Sequence, residues 1–300
     1  MHSHDESSKS APREEQNSGP ALSRRDLLCR AGATAGTAMV LGAGVAAGGG
    51  LAPFSAVAAE RTGWGARPNV VLVHGAWADG SSWDGVTALL LQAGYTVTAA
   101  AIPLSSLADD VARTRAVLAL QSGPTILVGH SIGGAVISGA GSGQQNVKAL
   151  VFASAFAPAQ GETIAKLTGG SGFSPEPGTA IGPSLFPDNQ GFVYLHRDAF
   201  LRYFAPDVDP AVARIMAVRQ RPVAGTYLGD VAGPAAWKTL PSWFLISTMD
   251  MMINPDLQRF EARRMGATVL EVASSHVSPV SHPLQVFQLI TQAAKVAAGA

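Results

Sequence analysis

The chain has 300 residues, 47% hydrophobic and 14% charged, with 21 Lys and Arg set against 21 Asp and Glu. That length carries one large domain with room for a small insertion. A formal net charge of zero gives no basic surplus for nucleic acid, and a single cysteine, Cys29, gives no disulfide framework.

The first elements belong to an export segment. Residues 1–22 are polar and mixed in charge; "SRRDLL" follows, Ser23 to Leu28, then an Ala/Gly-rich run from Ala31 to Ala52 and small residues "AVA" at 56–58. Paired arginines before a weakly apolar run resemble a twin-arginine signal, so residues 1–58 are expected to be removed and the mature protein to be periplasmic or extracellular. A membrane anchor is the competing reading. Seven glycines in the run lower both its hydrophobicity and its helix preference, so no stable membrane insertion is expected after processing.

Strands and helices then alternate. "NVVLVHGA" (69–76) predicts a strand, "SSWDGVTALLLQAG" (81–94) a helix with Ser82 as its cap, and "YTVTAAAIP" (95–103) a second strand. "LADDVARTRAVLALQSG" (107–123) is amphipathic, "TILVGH" (125–130) reads as a third strand, and "SIGGAVISGAG" opens a helix of small residues. "VKALVFASAF" (147–156), "SWFLISTMD" (242–250) and "ATVLEVAS" (267–274) complete six strands, with helical patterns after the last two. Apolar strands separated by amphipathic helices imply a mostly parallel sheet with helices on both faces, an α/β fold. Residues 157–234 break this rhythm with Pro, Gly, two or three short helical patterns and no convincing strand. They are expected to form a small helical cap over a core of residues 59–156 and 235–300.

The chemistry gathers at the ends of strands. Gly129-His130-Ser131-Ile132-Gly133 matches G-x-S-x-G, placed between a buried-type strand and a helix as a nucleophile elbow requires. A serine hydroxyl needs a base, and the base needs an orienting acid. His276 follows the sixth strand directly, whereas His282 precedes Pro283, where a capping role is the plainer reading. Asp250 ends the fifth strand and is the only carboxylate between residues 231 and 255. The order Ser131, Asp250, His276 is that of the α/β-hydrolase triad. The amides of Ala76, after the first strand, and Ile132, at the start of the elbow helix, are the expected oxyanion donors. Trp77, His130, Met251, Phe192 and Phe204 are expected to line the substrate pocket.

"LVHGAWADGSSW", "GHSIGG", "MDMMINPDLQRF" and "SSHVSPVSHP" together resemble the α/β-hydrolase superfamily over residues 68–298, and within it the small-esterase branch of plant methyl-ester esterases and hydroxynitrile lyases. The resemblance implies Ala76 and Ile132 as oxyanion amides, Ser131 as nucleophile, Asp250 as acid, His276 as base, a helical cap, and no metal or organic cofactor. The lyases of that branch carry a lysine after the base; here the residue is Val277. The expected function is therefore serine-catalysed hydrolysis of an uncharged, moderately hydrophobic small-molecule ester. The alternatives are a ligand-binding protein without catalysis, or a lyase or lactonase using the same site. No His-x-His, H-E-x-x-H or cysteine pair marks a metal site.

Overall fold

The six apolar runs become six parallel strands. The structure is a computed structural model describing residues 67–169 and 184–298; the expected export segment and its arginine pair lie outside these residues. The core strands are β1 (Asn69–Val73), β2 (Val97–Ala100), β3 (Thr125–Ser131), β4 (Val147–Ala155), β8 (Ser242–Ser247) and β9 (Thr268–Val272). They lie in the order β2-β1-β3-β4-β8-β9, with every pairing parallel. All seven residues of β3 are buried, because a central parallel strand has helices over both faces and no side left for water.

The two-residue period of β1 sorts its side chains between two cores. Val70 and Leu72 join Ile126 and Val128 beneath α1 (Asp84–Gln92) and α7 (Pro283–Ala297). Val71 and Val73 join Leu127 beneath α2 (Leu107–Leu118), α3 (Ile132–Gly141) and α6 (Pro255–Met265). Helix α7 buries Val286, Leu289, Ile290, Ala293, Ala294 and Ala297, an i, i+3, i+4, i+7 stripe that fixes which side meets the sheet. Helix α1 starts later than its expected Ser82 cap. Asp79 accepts from the Ser81 N–H and supports a short 3-10 turn, Gly80–Trp83, ahead of it.

The segment between β4 and β8 departs from expectation. It holds α4 (Ile164–Gly169), a helical turn Arg197–Ala199 running into a π-helical turn Phe200–Phe204, and α5 (Pro210–Arg219). It also holds an antiparallel sheet of β5 (Leu185–Pro187), β6 (Phe192–Leu195) and β7 (Val223–Ala224), where no strand was expected. The strands are two to four residues long, too short for alternation to register. The legible signal was the turn between them. The Asp188 carboxylate accepts from the N–H groups of Gln190 and Phe192, an Asx turn of the kind that closes hairpins.

This segment is tied to the core at several points. Trp77 donates its indole N–H to the Val193 carbonyl at 3.0 Å, and the Ala224 N–H reaches the Leu104 carbonyl at 2.9 Å. Buried Tyr227 donates to Asp110 at 2.7 Å.

Candidate active site

The sheet brings three distant residues to one edge. Ser131 ends β3, Asp250 follows β8, and His276 lies in the loop after β9. Each is therefore at the carboxyl end of a parallel strand, where open α/β sheets form their crevices.

Ser131 has φ 57° and ψ −128°, a conformation that costs a non-glycine residue about 1–3 kcal/mol. The bend lifts its side chain off the strand, and close packing keeps it there. A Cβ on Gly129 would lie 2.5 Å from the Gly133 carbonyl oxygen, and one on Gly75 would lie 2.6 Å from the Ser131 Cβ. Both separations are below any van der Waals contact, so the elbow closes only over bare backbone.

The His276 Nε2 is 2.9 Å from the Ser131 Oγ, and its Nδ1 is 2.8 Å from the Asp250 Oδ2. Both residues beside Ser131 are almost wholly buried, which shields the two hydrogen bonds from competing water. The Asp250 carboxylate accepts four N–H groups: Met252 at 2.7 Å and Ile253 at 2.9 Å on Oδ1, Gln258 at 2.9 Å and His276 on Oδ2. The helix cap at Pro255 falls to Asn254, which accepts from the Asp256 N–H at 2.8 Å, leaving Asp250 for the histidine.

The loop carrying His276 is held from three directions. His130, fully buried, donates Nε2–H to the His276 carbonyl at 2.8 Å. Burial keeps the His130 imidazole well below its ordinary pKa and hence neutral, and the nearby His276 acts in the same direction. Asp207 accepts the Ser275 N–H at 2.8 Å and also its hydroxyl. Beneath the loop, Ser274, Ser247, Ser154 and Ser278 form a buried chain of hydroxyls at 2.7, 2.5 and 2.8 Å. His282 bonds the Ser281 hydroxyl at 2.9 Å and lies 3.7 Å from the Asp207 carboxylate, whereas His276 is the histidine that reaches Ser131.

A cavity of about 380 Å³ opens over Ser131 and His276, with Ala76 and Ile132 also in its wall. The N–H of Ala76 meets no backbone acceptor among the described residues, and that of Ile132 opens α3. Apart from Ser131, His276 and Thr168, its wall is apolar: Trp77, Phe156, Ile164, Leu185, Val193, Leu228, Met252 and Ile253 are among its members. A larger cavity, about 530 Å³, lies on the far side of β6 among Phe186, Tyr194 and His196, and contains none of the strand-end residues.

Of the five residues expected to line the substrate pocket, Trp77 lines this cavity. Phe192 does not, because strand alternation presents Val193 instead; Met251 yields to Met252, whose N–H is drawn in by Asp250. Phe204 and His130 lie behind the wall, with ring centroids 5.2 and 4.8 Å from that of His276, and support the histidine without facing the cavity.

Gln258 and Asp207 were missed in the sequence. For Gln258 a signal existed: the buried stripe of α6 is Leu257, Gln258, Glu261 and Ala262, so two polar residues stand where apolar ones belong. For Asp207 there was none, since its partner is 68 residues away.

A family model described as the alpha/beta hydrolase family matches residues 70–289. No curated protein matches the chain. Among solved structures it is similar to the methylesterase MES16 from Arabidopsis: 19% identity, 76% of this chain and 99% of that one, TM-score 0.62. A pyrethroid hydrolase from Sphingobium faniae JZ-2 shares 21% identity over 76% of this chain and 97% of that one, TM-score 0.61. An extracellular alpha/beta-hydrolase from a Paenibacillus species shares 21% over 76% and 99%, TM-score 0.63. At these identities the likeness is one of fold.

Proposed function

The chain belongs to the alpha/beta hydrolase family, and from that premise we propose that it is a serine hydrolase cleaving an uncharged, moderately hydrophobic carboxylic ester. The observation that carries the reading is the unbroken line from the Ser131 Oγ through His276 to Asp250, at 2.9 and 2.8 Å, at the floor of an apolar cavity.

In this reading a substrate carbonyl seats against the Ala76 and Ile132 amides. His276 takes the Ser131 proton as the Oγ–C bond forms, and Asp250 stabilises the imidazolium that results. The tetrahedral oxyanion is held by the two amides, a contribution worth about 3–4 kcal/mol per donor in comparable sites. The C–O bond to the alcohol then breaks, and the leaving oxygen takes the proton from Nε2. Water repeats the sequence on the acyl-enzyme and frees the acid.

Substrate class follows from the wall. No Lys, Arg, Asp or Glu lines the cavity among the described residues, so a charged acyl or alcohol half would lose its water without gaining a partner. Hydrolysis is favoured over lyase chemistry by Val277, which is fully buried among the Phe200 and Phe204 side chains and puts no charge beside the base. We assign residues 157–234 as the cap over this site, and residues 59–156 with 235–300 as the core. No helix among the described residues is long and apolar enough to cross a membrane; export of the chain is part of this proposal and rests on residues 1–58.

The test is covalent labelling. A fluorophosphonate probe should label the wild type and leave Ser131→Ala unlabelled. A panel of chromogenic esters should show neutral esters turned over faster than those bearing a carboxylate or an ammonium. A folded wild-type protein that neither labels nor hydrolyses any ester would leave a ligand-binding role in place of catalysis.

A further inference from the structure

We propose that Gln258 is a positioning residue for the acid and base: its side-chain amide sets the plane of the Asp250 carboxylate and takes part of its charge, so that Oδ2 meets His276 in the geometry proton transfer needs. The inference rests on the serine-hydrolase reading above.

Gln258 lies on α6 and is completely buried. Its orientation is decided by its neighbours. The Oε1 accepts the Ser247 N–H at 3.0 Å, so Nε2 must be the atom facing the Asp250 Oδ2 at 2.9 Å and the Ile253 carbonyl at 3.0 Å. The reversed amide would set N–H against N–H and oxygen against two oxygens. Both donors of the amide are thus committed, one of them to the atom that holds the base, and its oxygen accepts from Ser247.

Two consequences follow. The Met252 and Ile253 amides grip Oδ1 alone, which leaves the carboxylate free to rotate about that oxygen; Gln258 fixes the other one. All four groups around the carboxylate are donors, a set that suits an ionised, acceptor-only carboxylate. Gln258 draws on the same Oδ2 charge that stabilises the imidazolium.

A purely architectural role is the rival. Gln258 also ties α6 to β8 through Ser247 and closes the turn at Ile253, and loss of those bonds lowers stability whatever happens at Asp250. The titratable and charged groups around this cluster include His276, His130 behind it, Asp207 across Ser275 with His282 3.7 Å from it, and Glu261 one turn further along α6 with Arg264 beside it. All are common to wild type and variants, so ratios of activity at each pH isolate position 258.

The discriminating variants are Gln258→Glu and Gln258→Met. In its neutral form the introduced carboxyl donates O–H to Oδ2 and accepts from Ser247, preserving those two bonds. Ionised, it faces Asp250 with like charge and offers no donor. We expect Q258E to approach wild-type kcat on a chromogenic ester at the acid end and to fall progressively behind as pH rises. We expect Q258M to lose about 10- to 100-fold in kcat, the rate equivalent of one charge-assisted hydrogen bond, with KM little changed. Melting curves at each pH identify loss of fold. A ratio of Q258E to wild type that stays constant with pH overturns the proposal, as does a folded Q258E inactive throughout, or a Q258M whose kcat is within about threefold of wild type. If Q258M does not fold, the Q258E ratio decides alone. An unreactive wild type sinks the hydrolase reading instead, so the two failures are distinguishable.

Discussion

Glu261 makes the stability of this fold depend on pH in a direction opposite to that of a surface carboxylate. It lies on α6, fully buried, with Oε1 accepting the Ala157 N–H at 2.9 Å and an Arg264 N–H at 3.4 Å, and Oε2 without a hydrogen-bond partner among the described residues. Burial pushes its carboxyl up to about 8 from an ordinary 4.5, against the downward pull of the Ala157 N–H and of Arg264. Between those two values the native state holds a proton that the unfolded chain has released. Stability therefore falls as pH rises, by at most about 1.4 kcal/mol per pH unit, and the contribution is complete below 4.5 and gone above about 8. Glu261→Gln keeps a neutral group of the same shape and removes the proton. Against E261Q, the wild type should lose up to about 4 kcal/mol between pH 5 and pH 8. Asp110, pushed up to about 6 by its burial, acts with the same sign in both proteins and cancels in the comparison. Urea unfolding at pH 5, 6.5 and 8 reads the effect as a shift in midpoint at constant m. Parallel wild-type and E261Q curves across that range would falsify the assignment of a buried neutral Glu261.

Three further outcomes are expected. Gly75→Ala places a methyl 2.6 Å from the Ser131 Cβ; restoring ordinary contact near 3.4 Å moves the nucleophile or the Ala76 amide by about 0.8 Å, enough for a loss of up to about 100-fold in kcat on a chromogenic ester. Asp207→Ala leaves the Ser275 N–H without its acceptor and the Ser275 hydroxyl with only the Phe204 carbonyl at 3.4 Å, and should lower kcat about tenfold by loosening the His276 loop, while Asp207→Asn retains an acceptor and most of the activity. Among the described residues no cluster of His, Cys, Asp and Glu is fit to hold a metal ion, so dialysis against EDTA should change neither turnover nor melting temperature.

Much of the architecture was legible along the chain because its signals are local. Six apolar runs with helical stripes between them require a parallel sheet covered on both faces, and the polymer order of Ser131, Asp250 and His276 places each at a strand end. The antiparallel sheet among residues 185–224 escaped because its strands are too short for a two-residue period to stand out. The pocket wall escaped for a related reason. Whether Met251 or Met252, Phe192 or Val193, faces the cavity depends on a one-residue register that only the packed neighbours set.

What the sequence determined by itself is the set of candidate site residues and the sheet edge at which they stand. What only the tertiary structure decided is their company: the Gln258 amide on Asp250, the Asp207 carboxylate on Ser275, and the His130 ring on the His276 carbonyl. Those bonds join segments far apart in the chain, and a hydrogen bond of that kind leaves no periodic trace. It exists because the sheet order sets three strand ends side by side, and buried polar groups in that space must find partners in one another.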